Sequence, residues 1–88
     1  MFYTYVAYTS INKFHSIGVS NNLSRRFKLL NQQLKNSQKD HYKLVYYEEY
    51  LISDNATNRE NELNEIHESL LQILVIESNP MLVDLLQD

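Results

Sequence analysis

The stretch FYTYVAYTSINKFHSIGV, residues 2–19, decides the fold. Phe2 to Thr9 is rich in Tyr, Val and Thr, side chains that fit a pleated, half-buried surface, and this predicts a first strand. Ser10 to Lys13 is polar enough for a hairpin turn, and Phe14 to Val19 resumes a strand. That second strand carries the only glycine of the chain, Gly18. A lone glycine inside a strand marks a bulge or a point where another side chain, backbone or ligand comes close.

Outward from the hairpin, Ser20, Asn21 and Asn22 are side chains that cap helix amino ends. Behind them Leu23, Phe27, Leu30 and Leu34 recur at helical spacing, with Arg25, Arg26, Lys28 and Lys35 on the other face. The pattern breaks in a polar loop from Asn36 to Asp40, and Tyr42 to Tyr50 reads as a third strand. Ser53 to Asn55 offers the next cap, before a helix whose apolar stripe runs through Ala56, Leu63, Ile66 and Leu70. Leu70 to Ile76 is apolar at nearly every position, so periodicity does not separate a buried strand from a buried helical turn. Asn79-Pro80 reads as a cap with proline at the first helical position, opening a short final helix to Leu86. The expected architecture is α+β, a three-stranded antiparallel sheet flanked by helices in the order β-β-α-β-α-α.

A chain of 88 residues has material for one core, so a single domain over residues 1–88 is expected. Hydrophobic residues make up 43%, with seven Tyr and three Phe, which is the make-up of a folded domain rather than a disordered chain. No cysteine is present, which excludes disulfides and thiolate chemistry and suits a reducing cytoplasm. No basic segment precedes an apolar run at the amino end and no stretch is long enough to span a bilayer, so neither export nor membrane insertion is expected. The net charge of −3 hides an asymmetry: residues 1–50 hold seven Lys or Arg against three acids, whereas residues 51–88 hold one Arg against eight acids. The basic half can neutralise phosphates and the acidic half repels them.

Several chemistries fall away at once. One glycine cannot build a glycine-rich phosphate loop, and His15, His41 and His67 are too scattered for a metal-ligand spacing. Asn55-Ala56-Thr57 matches a glycosylation acceptor by pattern only.

The residues inside these elements resemble the GIY-YIG nuclease superfamily, in particular its small stand-alone members, over nearly the whole chain. Tyr3-Thr4-Tyr5 sits where the family carries its first motif, with Tyr5 at the final tyrosine, and Ser16-Ile17-Gly18 corresponds to the second. Val19 to Arg26 is similar to the run that leads to the family arginine, matched by Arg26. Leu44 to Glu49 resembles the third strand, Ala56 to Leu63 supplies the helix with its glutamate at Glu60, and Glu77 to Pro80 with Asp84-Leu85 resembles the tail.

The resemblance implies metal-dependent phosphodiester hydrolysis. Glu60 would hold one divalent cation, Mg²⁺ or Mn²⁺, ions suited to a hard oxygen ligand and several waters. Arg26 would brace the developing charge on the scissile phosphate, or simply position phosphate as Arg25 beside it does. Tyr5 would place the nucleophile or the phosphate through its hydroxyl. Ser16 stands where the family carries the tyrosine assigned to activating the attacking water, and a serine hydroxyl is a poor, shorter base. His15 has a suitable pKa but should share the side of Ile17 rather than of Ser16. Leu30 replaces a histidine of many small members, and Asn64, Glu65, His67 and Glu68 replace basic residues beyond the glutamate. Nucleic acid is therefore expected across Arg25, Arg26, Lys28 and Lys35 rather than along the second long helix.

Two functional readings follow from these residues. The first is a divalent-metal-dependent DNA endonuclease built on Tyr5, Arg26 and Glu60, with Ser16 positioning the water. The second keeps the fold without catalysis, as a module that binds nucleic acid through the basic half or a protein through the acidic carboxy-terminal helices. A structural or dimerising domain that shares only the fold is a third.

Overall fold

The structure, a computed structural model, describes residues 1–10, 13–33 and 41–86, with the side chains of residues 13–15 outside the described set. Strand β1 (Phe2–Thr9) lies at the centre of an antiparallel sheet, with β2 (Lys13–Ser20) on one side and β3 (Lys43–Tyr50) on the other, in the order β2-β1-β3. The expected α+β architecture is therefore what the chain adopts, and the strand bounds lie within a residue of the sequence reading. In the β1–β2 ladder Tyr5 faces Gly18, Ala7 faces Ser16 and Val6 faces Ile17; in the β1–β3 ladder Tyr5 faces Tyr47 and Thr4 faces Glu48.

Both faces of the sheet are covered, which is why the centre of β1 is apolar or tightly bonded at four successive positions rather than alternating. On one face Tyr5, Ala7 and Leu44 pack against Leu23, Phe27 and Leu30 of helix α1 (Leu23–Gln32). On the other, Val6 and Val45 pack against Leu63 of α2 (Ser53–Glu65) and Leu71 and Val75 of α3 (Glu68–Ser78). Thr4 is fully buried and its hydroxyl donates to the Ala56 carbonyl at 2.7 Å, which fixes α2 against β1 without leaving a polar group unpaired. A register shift between Val6 and Ala7 absorbs the extra residue Val45, so that Val45 and Tyr46 both serve the α2–α3 face while Leu44 and Tyr47 serve the other.

Helix α1 starts as the sequence implies: the Asn22 carboxamide oxygen accepts from the Arg25 N–H at 3.1 Å, and the Ser20 hydroxyl bonds both the N–H and the C=O of Asn22. Leu34, Lys35 and the loop Asn36–Asp40 lie outside the described residues, as does part of the turn Ser10–Lys13.

Three expectations are corrected. Helix α2 begins at Ser53 itself, with Ile52 at its N-cap and no side-chain cap, so Ser53 to Asn55 form its first turn rather than precede it. The stripe through Ile66 to Leu70 is not one helix: Ile66 leaves helical geometry at ψ 155°, and His67 opens α3 by accepting from the Ser69 N–H on Nδ1. A side chain that caps the N–H two residues on starts a new helix in place of continuing the old one. The run Leu70 to Ile76 is helical and only half covered, with Leu71 and Val75 buried while Leu70, Ile73 and Ile76 are exposed.

The third correction concerns the carboxy-terminal helix, which does not form. Asn79 is the C-cap of α3 rather than the start of a new helix, and residues 79–86 form turns with Leu82 at φ 51°. The buried Asn79 carboxamide donates to the Val45 and Val83 carbonyls and accepts from the Val83 N–H, which rules out helical hydrogen bonding in the next turn. The segment instead blunts the free edge of β3. Leu85 N–H donates to the Leu44 carbonyl at 2.8 Å, the Asp84 carboxylate accepts from Leu44 N–H, and Lys43 Nζ donates to the Leu82 carbonyl.

Candidate active site

The side chain of Tyr5 crosses from the central strand over its neighbour at Gly18. A Cβ at position 18 would lie 2.5 Å from Tyr5 Oη and 2.7 Å from Cζ, so only glycine leaves room for the ring. The other side of the ring meets Phe27 of α1 edge-on, with centroids 5.2 Å apart. Held between the two, the phenol is almost completely buried, and its oxygen accepts a hydrogen bond from Arg26 Nε at 2.9 Å. Arg26 spends one donor on that bond. Among the described residues no carboxylate pairs with its guanidinium, so the terminal nitrogens keep their N–H groups for a ligand. The Tyr5 hydroxyl likewise keeps its own proton to donate.

Arg26 and Arg25 line a shallow cavity of about 300 Å³ with Ser20, Asn21, Asn22 and Leu29, at the amino end of α1. That helix end carries no acid in its first turn, so its N–H groups and positive dipole add to the two guanidinium charges. Lys28 is exposed on the same helix; Lys35 lies outside the described residues. Ser16 faces Ala7 and so lies on the α1 face of β2 together with Gly18 and Ser20, a strip of three small residues along an edge strand. The Ser16 side chain is half-buried and makes no hydrogen bond among the described residues. The expectation for His15 concerns a side chain outside those described.

Glu60 comes from the opposite side of the sheet. It lies one turn after Ala56 and one before Leu63, the two buried residues of α2, and is half-buried on the sheet-facing side of that helix. Arg59, the preceding residue, reaches Glu48 on β3. The 100° step of the helix turns Glu60 away from that contact. Its carboxylate has no hydrogen bond or ion pair among the described residues, and the structure forms none between it and Tyr5 or Arg26. Tyr5 and Arg26 thus meet directly, Ser16 lies on the α1 face of β2, and Glu60 is carried by α2 on the other face of the sheet. Among the described residues no group of three or more His, Asp or Glu gathers as a metal cage. A lone unpaired carboxylate fits an ion that keeps most of its waters and takes its remaining ligands from a phosphate, which is the habit of Mg²⁺.

A comparison with protein families matches residues 1–71 to the GIY-YIG catalytic domain. The chain belongs to the GIY-YIG family. That match covers both motif strands, α1, β3, α2 and the first turn of α3, and it places the protein in a nuclease-type family whose members generally use divalent metal and typically bind DNA. Searches of curated proteins and of solved structures gave no match. No helix among the described residues is long and apolar enough to cross a membrane.

One polar cluster of this GIY-YIG domain had no signal in the sequence reading. On the α2 face, the Glu48 carboxylate accepts from the Tyr46 hydroxyl, from the Tyr50 hydroxyl at 2.5 Å, and from Arg59 Nε at 2.9 Å and Nη2 at 3.2 Å, while Arg59 also reaches Glu62. Burial and the Glu48 bond push the Tyr46 phenol up to about 12. Burial alone would raise the Glu48 carboxyl, but the Arg59, Tyr46 and Tyr50 bonds outweigh it and hold it below its ordinary value. The alternation Tyr46, Glu48, Tyr50 marks one face of a strand. Its partner Arg59, eleven residues on, is found only once α2 is laid across that face.

Proposed function

We propose that the chain acts as a single GIY-YIG-type domain over residues 1–88 and is a divalent-metal-dependent DNA endonuclease of the cytoplasm, with Tyr5 and Arg26 binding the phosphodiester and Glu60 holding Mg²⁺ or Mn²⁺. The observation that carries the reading is the Tyr5–Arg26 hydrogen bond, made possible by Gly18 and aimed so that the arginine retains free donors at the surface. A structural arginine in a mainly acidic chain would be expected to find a carboxylate; this one is held in place by a phenol.

The roles follow from chemistry at named atoms. The Arg26 Nη groups form a planar fork that matches two phosphate oxygens, and Nε anchors that fork against Tyr5 so that little side-chain freedom is lost on binding. Arg25 and Lys28 supply longer-range attraction and position the strand. The Tyr5 O–H donates to a phosphate oxygen or to the attacking water. Glu60 would hold the divalent ion through its carboxylate, and that ion would supply activation of a water and neutralisation of phosphate charge. Ser16 hydrogen-bonds the water without deprotonating it.

Ser16 also favours a second reading, in which the site binds DNA but no longer cuts it, or a protein is held along the acidic helices α2 and α3, where Leu70, Ile73 and Ile76 are exposed. Nicking of supercoiled plasmid with Mg²⁺ or Mn²⁺ separates the readings. Wild type should nick above background, and both Glu60→Ala and Arg26→Ala should lose the activity. If all three proteins give the same background, the endonuclease reading is abandoned. Salt-titrated DNA binding then decides the rest: loss of one phosphate contact in Arg26→Ala should lower the salt slope by about 0.9, whereas an apolar protein interface shows no such slope.

A further inference from the structure

Beside the arginine-lined cavity lies a second one of about 340 Å³, and the two share Asn21 and Asn22 as a common wall. Its floor is aromatic and apolar: Tyr3 and Tyr47 stand edge to face with centroids 5.8 Å apart, and Leu44 lies beneath. Its rim is polar, with Asn22 and Ser24 on one side and the Glu49 carboxylate, which faces Tyr3 in the ladder, on the other. Glu49 makes no ion pair or side-chain hydrogen bond among the described residues. Tyr47 is 40% exposed, unusual for an aromatic ring in the middle of a covered strand.

Phosphate does not belong in this cavity, because an unpaired carboxylate repels it. A flat, neutral group with N–H donors on its edge fits: it can stack on the tyrosines and donate to Glu49. Such a group next to a phosphate held by Arg25 and Arg26 is a nucleobase of the same strand. Leu23 and Ser24 stand three and two residues before Arg26 in the first turn of α1, a rise of about 3–4.5 Å at 1.5 Å per residue, so a phosphate at the arginine and a base in the cavity are close neighbours. A base paired inside a duplex cannot enter.

We propose that the Tyr3–Tyr47–Glu49 cavity is a subsite for one unpaired, amino-bearing nucleobase adjacent to the phosphate bound at Arg26. The substrate is then DNA with an unpaired nucleotide at that position rather than perfect duplex. The inference rests on the phosphate reading of Arg26 given above. Stacking on an aromatic platform tolerates any base, and the carboxylate adds preference for an exocyclic amine such as cytosine N4.

The test is fluorescence anisotropy with four labelled oligonucleotide duplexes: one perfectly paired, one with a single unpaired cytosine, one with a single unpaired thymine, and one with an abasic site at that position. Wild type should bind the unpaired cytosine on the order of 10-fold more tightly than the abasic duplex. Tyr47→Ala should bring the two affinities together, Tyr47→Phe should keep them apart, and Glu49→Gln should erase the preference for unpaired cytosine over unpaired thymine. Far-UV circular dichroism of each variant establishes that it is folded. If wild type binds the cytosine and abasic duplexes equally while Arg26→Ala weakens both, the subsite is wrong and the phosphate reading stands. If wild type and Arg26→Ala bind all four duplexes with the same affinity, the phosphate reading fails and the subsite falls with it.

Discussion

Gly18 and Tyr5 face each other across the β1–β2 ladder, and the space that any side chain at position 18 would need is already filled by the Tyr5 phenol, 2.5 Å from the ideal Cβ. The ring cannot retreat, because Phe27 closes its other side and the hydroxyl is tied to Arg26. The glycine therefore fixes the position of the phenol, and the phenol fixes the arginine.

Gly18→Ala should cost about 1–3 kcal/mol, the usual range for forcing an extra methyl into a packed site. At roughly 4–8 °C per kcal/mol for a domain of this size, the loss is readable as a lowered Tm in calorimetry. The variant should also lose DNA affinity, since the arginine loses its anchor. An unchanged Tm would show that the ring is free to move aside.

Ser16→Tyr restores a phenol on the α1 face of β2, one same-face step from Gly18. General-base catalysis contributes about 10²–10⁴-fold, so plasmid nicking by this variant should exceed that of wild type by about 10²-fold. Nicking by Ser16→Tyr at the wild-type rate would mean that the lost phenol is not what limits the reaction.

The Glu48–Arg59 cluster gives stability an acid limb. The folded protein holds the Glu48 carboxyl below its ordinary value of 4.5, so the stabilisation is fully present above pH 4.5 and is lost as pH falls through the lower folded value. Glu48→Gln should lower unfolding free energy by about 1–3 kcal/mol at neutral pH, because Arg59 is left short of a partner. In urea titrations the gap to wild type should narrow below pH 4.5. Tyr46 shifts the other way, from 10.0 to about 12, so its contribution is present below pH 10 and fades as pH rises through 12. In an ultraviolet titration Tyr46 and Tyr50, both raised by Glu48, should ionise late, and the late amplitude should fall in Tyr46→Phe.

Asn79→Ala removes three hydrogen bonds from a buried position and leaves the Val45 carbonyl without its carboxamide donor. A cost of about 1–3 kcal/mol is expected. The more specific readout is hydrogen exchange at the Leu85 amide, which donates to Leu44 on the sheet edge and should lose its protection if Asn79 holds the tail in place.

Local chemistry alone was enough to read the hairpin, α1 with its Asn22 cap, and the third strand, because residue type, spacing and capping act within a few positions of one another. It also marked Gly18 as a point of close approach. The break at Ile66 and the missing last helix were not legible, since each turns on a choice between hydrogen-bond partners. His67 caps a new helix instead of extending the old one, and Asn79 spends its carboxamide on Val45, thirty-four residues earlier, instead of capping the next turn. Helical spacing was the same in either case.

The amino-acid sequence by itself determined the three strands and the first helix, the family, and the residue types with phosphate chemistry: a phenol, a guanidinium and a carboxylate at Tyr5, Arg26 and Glu60. Only the tertiary structure decided which of them touch. It joins Tyr5 to Arg26 over Gly18, carries Glu60 on α2 across the sheet from them, pairs Arg59 with Glu48, and leaves Glu49 open beside two tyrosines. The reason is that strand faces and helix flanks acquire neighbours only when the sheet is covered on both sides, and that packing is set by contacts far apart in the chain.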